Sequence, residues 1–465
     1  MPHYDRLTAL DNSFLLLEKE TAYTHVASTQ IFDAGPLRTE DGGIDFDAIK
    51  KAHAAVLHRI PRYRQVLEWV PFTNQPVWVD DEHFDLDFHL RHTSLPRPGG
   101  DMQLKRLSAR IMQQHLDRKR PLWETWVVEG LEGDRFAIIS KVHHCMIDGV
   151  SGVDLLEKLM SPSPVVELEA PPTYIPRPRP SGYELVRDEV GRNLRLPFEV
   201  IGDLSRFVSE ARDVRREVTN RFRAATDAFG PTLRAPTPTP INQPIGPHRR
   251  FDWSKVPLEE IKALRKGLGG SLNDIVLTIV TGAFQRFFSA RGIDPGDLDF
   301  RVMTPVSVRS EGEKGKLGNR VSAWIFELPI GESDPRKQLE QISAKTTELK
   351  ESKQAVTADV LSQVADWTPA TLLSLGARNL SRMLPFNTVV TNVPGPQIPM
   401  YMLGARLLEV YPHVPLVDNL GLGIALMSYD GQLHWGFNAD RDLVPDLHLF
   451  REAIEESLEA LQELC

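Results

Sequence analysis

The residues that could carry chemistry concentrate in one short segment with two adjacent histidines. The segment reads His143-His144-Cys145-Met146-Ile147-Asp148-Gly149. Histidine suits the role of a general base because its side-chain pKa lies near neutrality. An aspartate four residues after His144 can stabilise the loop that holds the imidazole, and the following glycine permits a tight backbone turn. The segment therefore predicts a positioned base that removes a proton from a reacting group.

The two histidines have different predicted roles because of the element that carries them. The apolar run from Phe136 to Val142 is typical of a β-strand and leads directly into the pair. Neighbouring residues of a strand point to opposite faces. Only one of His143 and His144 can then face a given cavity, and we predict that the other is structural.

Four other interpretations of this segment stay open on the residues alone. The pair can be hydrogen-bonded core histidines, or the segment can offer up to three metal ligands without an obvious local fourth. Cys145 can be a nucleophile beside His144, although a cysteine here is more often a small core residue. Asp148 can act as a catalytic carboxylate, although its place beside a turn glycine favours a structural role.

Signatures of other catalytic classes are absent from the sequence. Gly149-Val150-Ser151-Gly152 lacks the spacing of the Gly-x-Ser-x-Gly nucleophile elbow. Residues 312–316 lack the spacing and hydroxyl of a phosphate loop, and residues 421–423 lack the third glycine of a dinucleotide fingerprint. We therefore expect no nucleotide, flavin or metal cofactor.

Length and composition bound the remaining possibilities. A chain of 465 residues predicts two domains, and 41% apolar with 25% charged residues is ordinary for a globular protein. The net charge of −9 provides no basic footprint, so we expect no nucleic-acid partner. Two cysteines, no signal peptide and no run of eighteen apolar residues favour a cytoplasmic protein that meets lipid only from the surface.

Two proline-rich stretches, residues 161–180 and 231–247, predict extended connectors because proline at this density interrupts helices and central strands. They divide the chain into an N-terminal domain (1–180), a helical and proline-rich linker (181–240) and a C-terminal domain (241–465). Within the linker, Tyr183–Phe229 mixes arginines and acids with apolar residues. It predicts either a solvated helix pair or an interfacial helix on a membrane or lipid droplet.

Hydrophobic periodicity predicts the elements that must position the histidines. Helical spacing is present at Phe46–Leu57, Met102–Leu116, Ser151–Met160, Leu258–Leu268, Leu272–Ala290, Leu339–Lys350 and Leu447–Leu461. Strand-like runs are present at Trp123–Val128, Phe136–Val142, Phe300–Val308, Arg320–Glu327, Thr388–Val393 and Gly423–Tyr429.

The histidine segment resembles the His-His-x-x-x-Asp-Gly signature of the coenzyme-A-dependent acyltransferase superfamily, which includes chloramphenicol acetyltransferase-like enzymes and peptide-synthetase condensation domains. Six further segments narrow the resemblance: Leu10–Phe14, Pro121–Glu124, Ser271–Leu277, Gly318-Asn319-Arg320, Thr391–Pro396 and Val444-Pro445-Asp446. In this order, and over almost the whole chain, the sequence is similar to the bacterial bifunctional wax ester synthase/acyl-CoA:diacylglycerol acyltransferases.

The resemblance implies an α/β (α+β) fold of two chloramphenicol-acetyltransferase-like domains with mixed sheets and an active-site tunnel between them. It implies that His144 is the base and that Asp148 holds the loop through an arginine, for which we select Arg64. The other residues assigned to catalysis are His143, Gly149 and Asn273. The residues assigned to substrate binding are Pro121, Leu122, Trp123, Asp274, Asn319, Arg320 and Asn392.

The activity implied is direct transfer of a long acyl chain from acyl-CoA to a fatty alcohol, a diacylglycerol, or both. Acyl-CoA is then a substrate, and the protein associates peripherally with the inner membrane face or with lipid inclusions. Two alternatives stay open: a condensation-type enzyme that uses carrier-bound acyl groups, and a non-catalytic lipid-binding or lipid-coat protein with this fold.

Overall fold

The computed structural model describes residues 3–146, 158–165, 168–191, 236–307, 321–351 and 384–465. Several predictions fall on other residues. Asp148, Gly149, Asn319 and Arg320 lie outside the described residues, as do most of the helix predicted at Ser151–Met160 and most of Tyr183–Phe229.

The described residues contain both β-strands and α-helices. The strands are β1 (Asp5–Arg6), β2 (His25–Asp33), β3 (Gln65–Trp69), β4 (Pro76–Asp80), β5 (Leu90–Ser94), β6 (Trp123–Leu131), β7 (Arg135–His143), β8 (Arg249–Pro257), β9 (Arg301–Ser307), β10 (Val321–Glu327), β11 (Thr388–Pro394), β12 (Tyr401–Met402), β13 (Ala405–His413), β14 (Leu422–Tyr429) and β15 (Gln432–Asp440). The helices are α1 (Ala9–Leu17), α2 (Phe46–Val56), α3 (Leu86–His89), α4 (Asp101–Met112), α5 (Leu258–Leu268), α6 (Leu272–Ala290), α7 (Pro335–Glu351) and α8 (Leu447–Gln462). Residues 182–191 are also helical.

The N-terminal sheet has the strand order β12-β13-β2-β7-β6-β5. Strands β5 and β6 are parallel and the other neighbours are antiparallel, so the sheet is mixed. The chain passes from β6 to β7 through a short turn at Gly133 and Asp134, both with positive φ angles. This hairpin places the end of β7, and with it the histidine pair, near the middle of the sheet.

Two strands of the N-terminal sheet come from the C-terminal half of the chain. Strand β13 pairs antiparallel with β2, from Leu407 opposite Phe32 to His413 opposite Ala27, and β12 pairs with β13. The division at residues 180 and 240 stays a prediction, and it placed β12 and β13 in the C-terminal domain.

The C-terminal sheet has the order β10-β9-β11-β14-β15-β8, with β11 parallel to both β9 and β14. Helix α6 packs on this sheet together with α5 and α8, and its residues from Asp274 to Phe284 are all buried. A capping box begins α6, since Ser271 accepts from the backbone of Asp274 and Asp274 accepts from that of Ser271. The two mixed-sheet domains implied by the resemblance are therefore confirmed.

A third, small sheet of order β1-β4-β3 lies at the edge of the N-terminal half. Its apolar side encloses Tyr4, Val66, Val77 and Val79, and Leu185 of the helix at 182–191 packs into the same cluster.

The two large sheets approach closely where β13 passes β15. A Cβ atom built on Gly436 would lie only 1.9 Å from the carbonyl oxygen of Pro412. Because no side chain can occupy that space, glycine is required at this contact.

No single helix of the described residues is long and apolar enough to cross a bilayer. Helices α5 and α6, which meet at 97°, meet the length and composition criteria only when they are taken as a pair.

Candidate active site

A cavity of about 430 Å³ lies between the two large sheets, and His144 forms part of its wall. The N-terminal sheet contributes Val26, Ala27, Ser28, Gln30, Trp123, Thr125, Ser140, Lys141 and Val142. From strands β11, β13 and β14 come Thr391, Asn392, Val393, Leu407, Val410, Pro412, His413, Ala425, Met427 and Tyr429. Most of these side chains are apolar, so the cavity suits a hydrocarbon chain beside a small number of polar groups.

The histidine pair straddles the end of strand β7. His143 is the last residue of the strand, and His144 begins a 3-10 turn that extends to Met146. The backbone N–H of His144 donates to the carbonyl of Thr24 at 2.8 Å. The prediction that both histidines lie on the strand was therefore wrong for His144, which lies in the turn. The change from strand to turn, and not only the alternation of side chains along a strand, separates the two rings.

His143 is buried, and both of its ring nitrogens have polar neighbours. The backbone N–H of Cys145 donates to its Nδ1 at 3.1 Å. Its Nε2 lies 3.2 Å from the hydroxyl oxygen of Thr24 and 3.2 Å from Oε1 of Glu18. An amide N–H can only donate, so Nδ1 carries a lone pair and the proton of the neutral ring is on Nε2. These contacts support the structural role that we predicted for His143.

Glu18 is the charged centre of this buried cluster, with a side chain only 8% exposed. Its Oε1 lies 3.3 Å from Nε2 of His25, and its Oε2 accepts from Nη2 of Arg118 at 2.6 Å. Burial by itself would raise the pKa of Glu18, but the contacts with His143 and His25 outweigh it and hold that pKa well below its usual range. Glu18 is therefore ionised at neutral pH.

The ring of His144 stacks on Phe14 of helix α1, with centroids 3.8 Å apart and planes inclined by 21°. Its Nδ1 atom is buried, so Nε2 is the ring nitrogen available to a substrate in the cavity. Burial lowers the pKa of His144 to about 4, against the opposing effect of its own backbone carbonyl. The imidazole is thus unprotonated at neutral pH and able to accept a proton.

Cys145 lies in the apolar core beside the histidine turn. Its side chain is 3% exposed and packs with Leu15, Leu122 and Met146. Burial raises the pKa of the thiol well above its usual value, so the nucleophilic thiolate is disfavoured at neutral pH. The geometry supports the interpretation of Cys145 as a small core residue.

The two asparagines predicted from the second half of the chain meet each other. Nδ2 of Asn392 donates to Oδ1 of Asn273 at 2.8 Å, and Asn392 lines the cavity. Asp274, which we had assigned to substrate binding, uses its carboxylate otherwise: Oδ2 accepts from the backbone of Ser271, and Oδ1 accepts from the hydroxyl of Thr346 at 2.8 Å. These bonds favour a role for Asp274 in the start of α6.

The Pro121-Leu122-Trp123 segment supports the histidine turn from the neighbouring strand. The carbonyl of Leu122 accepts from the backbone N–H of His143 at 2.9 Å, and the Leu122 side chain is fully buried. Trp123 lines the cavity, and its indole N–H donates to the carbonyl of Tyr63 at 2.9 Å. Among the three residues, Trp123 is the one in the cavity wall, and Pro121 precedes it without lining the cavity.

Arg64, the predicted partner of Asp148, stacks its guanidinium over the ring of Tyr174 at 4.2 Å. It lines a separate surface pocket together with Asp5, Asp80 and Arg177. Because Asp148 lies outside the described residues, the pairing stays a prediction.

Phe14, Glu18 and Thr24 are the site residues that sequence reasoning did not identify. Phe14 is the last residue of the Leu10–Phe14 segment of the family resemblance. The segment was identified from the sequence, but the stacking of Phe14 on His144 was not predicted. The sequence around Glu18 does not distinguish it from a glutamate on the protein surface. Within the ranges that the structure covers, no group of three or more His, Cys, Asp or Glu side chains is arranged to hold a metal ion.

Two family models match the chain. The wax ester synthase/diacylglycerol acyltransferase catalytic domain matches residues 7–276, and the C-terminal domain of the same family matches residues 317–462. Together they span every strand of the two large sheets except β9, and every described residue of the histidine segment.

Alignments with similar proteins cover nearly the full length of this chain. A probable diacylglycerol O-acyltransferase of Mycobacterium tuberculosis is 32% identical over 461 residues, which cover 98% of this chain and 96% of the relative. An O-acyltransferase of Acinetobacter baylyi is 28% identical, with 98% and 96% covered. Among solved structures, a wax ester synthase/diacylglycerol acyltransferase from Marinobacter aquaeolei has a TM-score of 0.70 at 24% identity, with 98% of each chain covered. The first condensation domain of the calcium-dependent antibiotic synthetase shares the fold, with a TM-score of 0.57 at 15% identity and 98% and 96% covered.

Proposed function

The chain belongs to the wax ester synthase/diacylglycerol acyltransferase family, and from this premise we propose that it transfers a long acyl chain from acyl-CoA to the hydroxyl of a fatty alcohol or a diacylglycerol. One observation carries the proposal: the imidazole of His144 lies in the wall of a largely apolar cavity between the two sheets.

The proposed reaction is a direct transfer with His144 as the base. Nε2 of His144 removes the proton from the acceptor hydroxyl while the oxygen attacks the thioester carbonyl. The carbon–sulfur bond then breaks, and the proton on His144 passes to the departing thiolate, so that the products are an ester and free CoA. The raised pKa of Cys145 supports a reaction without a covalent acyl-enzyme.

The transient oxyanion of this reaction needs hydrogen-bond donors, and loss of one such donor typically costs on the order of 3 kcal/mol in the barrier. Asn392 in the cavity wall and its partner Asn273 are the donors that we propose. Their mutual hydrogen bond fixes the orientation of both amides before a substrate binds. Such preorganisation is the source of most electrostatic stabilisation in enzymes.

A thiol-release assay tests the activity. Palmitoyl-CoA is supplied with hexadecanol, with dioleoylglycerol, or without an acceptor, and free CoA and the lipid products are both measured. We expect release that depends on an acceptor and matches ester formation, and its loss in His144→Ala. Release without an acceptor, or no release from CoA thioesters but transfer from carrier-bound acyl groups, would contradict the proposal.

We further propose that the protein associates peripherally with a lipid surface, because both classes of acceptor are insoluble. Two exposed aromatic side chains support this placement: Phe72 at the tip of the β3–β4 hairpin is 97% exposed, and Tyr183 is 76% exposed. Gly182 packs beside Pro71, so the two aromatic residues lie at the same end of the small sheet. Aromatic side chains at one tip are well suited to insertion at a membrane interface.

Flotation with phosphatidylcholine vesicles that contain dioleoylglycerol tests this association. The double variant Phe72→Ser/Tyr183→Ser should lower the vesicle-binding constant by about 100-fold or more, since each buried aromatic contributes about 1.5–3 kcal/mol and about 1.4 kcal/mol is tenfold. Met102→Ser is the matched control, because Met102 is an apolar residue of helix α4 that is 60% exposed. Equal flotation of wild type and the double variant would remove these residues from the proposed contact.

A further inference from the structure

We propose that Glu18 is a positioning residue for acyl transfer, and that it acts through Nε2 of His143 on the backbone turn that presents His144. The inference rests on the proposed role of His144 as the base. Glu18 itself touches neither the cavity nor the reacting atoms, so it is not a catalytic residue.

The turn at His144 depends on the orientation of the His143 ring. Nδ1 of His143 accepts from the backbone N–H of Cys145 at 3.1 Å, and this bond closes the turn around His144. The ring must therefore hold its lone pair on Nδ1 and its proton on Nε2, and it must not rotate. A rotated ring would leave the buried N–H of Cys145 without its partner, which typically costs 1–3 kcal/mol.

Glu18 favours this state of His143 through the negative charge of its ionised carboxylate. Its Oε1 lies 3.2 Å from Nε2 of His143, where a proton is attracted and a lone pair is repelled. The hydroxyl of Thr24 lies at the same distance and donates its proton to the carbonyl of Phe14, so its oxygen accepts from Nε2. The charge of Glu18 therefore adds to the contact of Thr24 in favouring the proton on Nε2.

The same carboxylate is anchored to helix α1, which carries the stacking partner of His144. Arg118 donates to Oε2 of Glu18 at 2.6 Å and to the carbonyl of Leu15 at 3.0 Å. The hydroxyl of Thr24 donates to the carbonyl of Phe14 at 3.1 Å. Glu18 thus connects the end of α1 to the histidine turn. An error of about 1 Å in the placement of a reacting group can cost about 100-fold in rate.

Three variants measure the role of Glu18. Glu18→Leu should lower kcat for palmitoyl-CoA by about 10- to 100-fold, with the KM for palmitoyl-CoA within about twofold of wild type. Glu18→Gln should recover part of that loss, because an amide oxygen keeps the shape of the side chain and a partial negative charge near Nε2. Glu189→Leu is the matched control: Glu189 is also a buried, ion-paired glutamate, but it pairs with Arg6 on the small sheet. It should lose stability and keep its kcat below its unfolding temperature.

A double-mutant cycle tests the route through His143. His143→Asn keeps an acceptor near the position of Nδ1 and removes Nε2, the atom that faces Glu18. If Glu18 acts through Nε2, adding Glu18→Leu to His143→Asn should lower kcat by no more than about threefold further. The inference would be overturned if the effects of Glu18→Leu and His143→Asn on kcat multiply in the double variant. It would also be overturned if Glu18→Leu lowers kcat no more than Glu189→Leu does.

A second readout does not depend on catalysis. The Nε2–H signal of His143 in a ¹H–¹⁵N spectrum should shift in Glu18→Leu and remain unchanged in Glu189→Leu. Wild type without acyl transfer would refute the proposed function, whereas an active wild type with an unshifted His143 signal would refute the role of Glu18 alone.

Discussion

At the scale of single residues, two chemically identical side chains acquire different properties from their neighbours. His143 has polar partners at both ring nitrogens, whereas His144 stacks on Phe14 and lines the cavity. Both rings are largely removed from water, but only His144 borders space that a substrate can fill.

Replacement of each histidine by alanine should separate these roles. His144→Ala should lower turnover by roughly 100- to 10,000-fold, the usual range for loss of a general base, with little change in the unfolding temperature. His143→Ala should lower turnover less and lower the free energy of unfolding by about 1–3 kcal/mol, because it orphans the N–H of Cys145. Turnover and thermal midpoint are measured together. An inactive, fully stable His143→Ala beside an active His144→Ala would show that the base is assigned to the wrong ring.

Cys145→Ala should keep most of the turnover and lose a modest amount of stability, because the thiol is buried and protonated. Activity of the purified variant and its mass after incubation with acyl-CoA are the measurements. A folded but inactive variant, together with an acyl adduct on the wild-type cysteine, would instead support covalent catalysis.

At the scale of elements, the cavity is formed where the two large sheets pack against each other. Strand β13 hydrogen-bonds with β2 in the N-terminal sheet while it contacts β14 and β15 of the other sheet. The closest point of that contact is Gly436 on β15 against the carbonyl of Pro412.

Gly436→Ala should therefore be one of the most damaging small substitutions in this region. The added methyl group would meet a backbone oxygen at 1.9 Å, and backbone cannot rotate away as a side chain can. We expect a loss of about 3 kcal/mol in the free energy of unfolding, the upper end of the usual cost of overpacking. Urea denaturation measures this loss. Gly35→Ala is the control, because its Cβ would have its nearest neighbour at an ordinary 3.5 Å; equal stability of the two variants would contradict the close contact.

Elements whose signals are local were predicted well from the sequence. Helices α5 and α6 have the predicted bounds, because Gly269 and Gly270 interrupt the helical pattern and Ser271 caps the next helix. Helix α4 was predicted to extend to Leu116, but it ends at Met112. The buried ammonium of Lys141 binds the carbonyls of Ile111 and Gln114 at 3.0 Å each, a contact between distant parts of the chain.

Sheet pairing and the site also depend on contacts between distant parts of the chain, which local sequence patterns do not predict. The pairing of β13 with β2 joins residues almost 400 positions apart, and local hydrophobic periodicity does not predict such a pairing. His144 was identified because its motif is contiguous in the sequence. Glu18 and Phe14 reach it only through the folded arrangement of α1, so their roles could not be predicted.

At the scale of the whole molecule, several imidazoles are buried without charge, which makes stability depend on pH. Burial lowers the pKa of His25 and His413 to about 3 and that of His53 to about 4. In the unfolded chain a histidine binds its proton near pH 6.5. Between pH 6.5 and about 4 the unfolded chain therefore holds more protons than the folded one, and stability falls as the pH falls.

At pH 5.5 each of these three histidines should cost roughly 1.4 kcal/mol, or about 4 kcal/mol together, relative to pH 7.5. Calorimetry across this range should show the unfolding temperature decreasing by several degrees. His53→Gln should reduce the slope, since it removes one of the three protons while its amide can still donate to the carbonyl of Ile49. An unfolding temperature that stays constant from pH 7.5 to 5.5 would refute the assignment.

Because β13 pairs with a strand near the N-terminus, the N-terminal sheet is completed late during synthesis on the ribosome. Strand β2 leaves the exit tunnel early, but its partner β13 is completed about 380 residues later. At 5–20 residues per second this delay is on the order of 20–80 s, during which one edge of β2 has no native partner. An open strand edge is a template for pairing with other chains. We therefore expect nascent chains to need a chaperone over this interval, and fragments that end before residue 400 to aggregate.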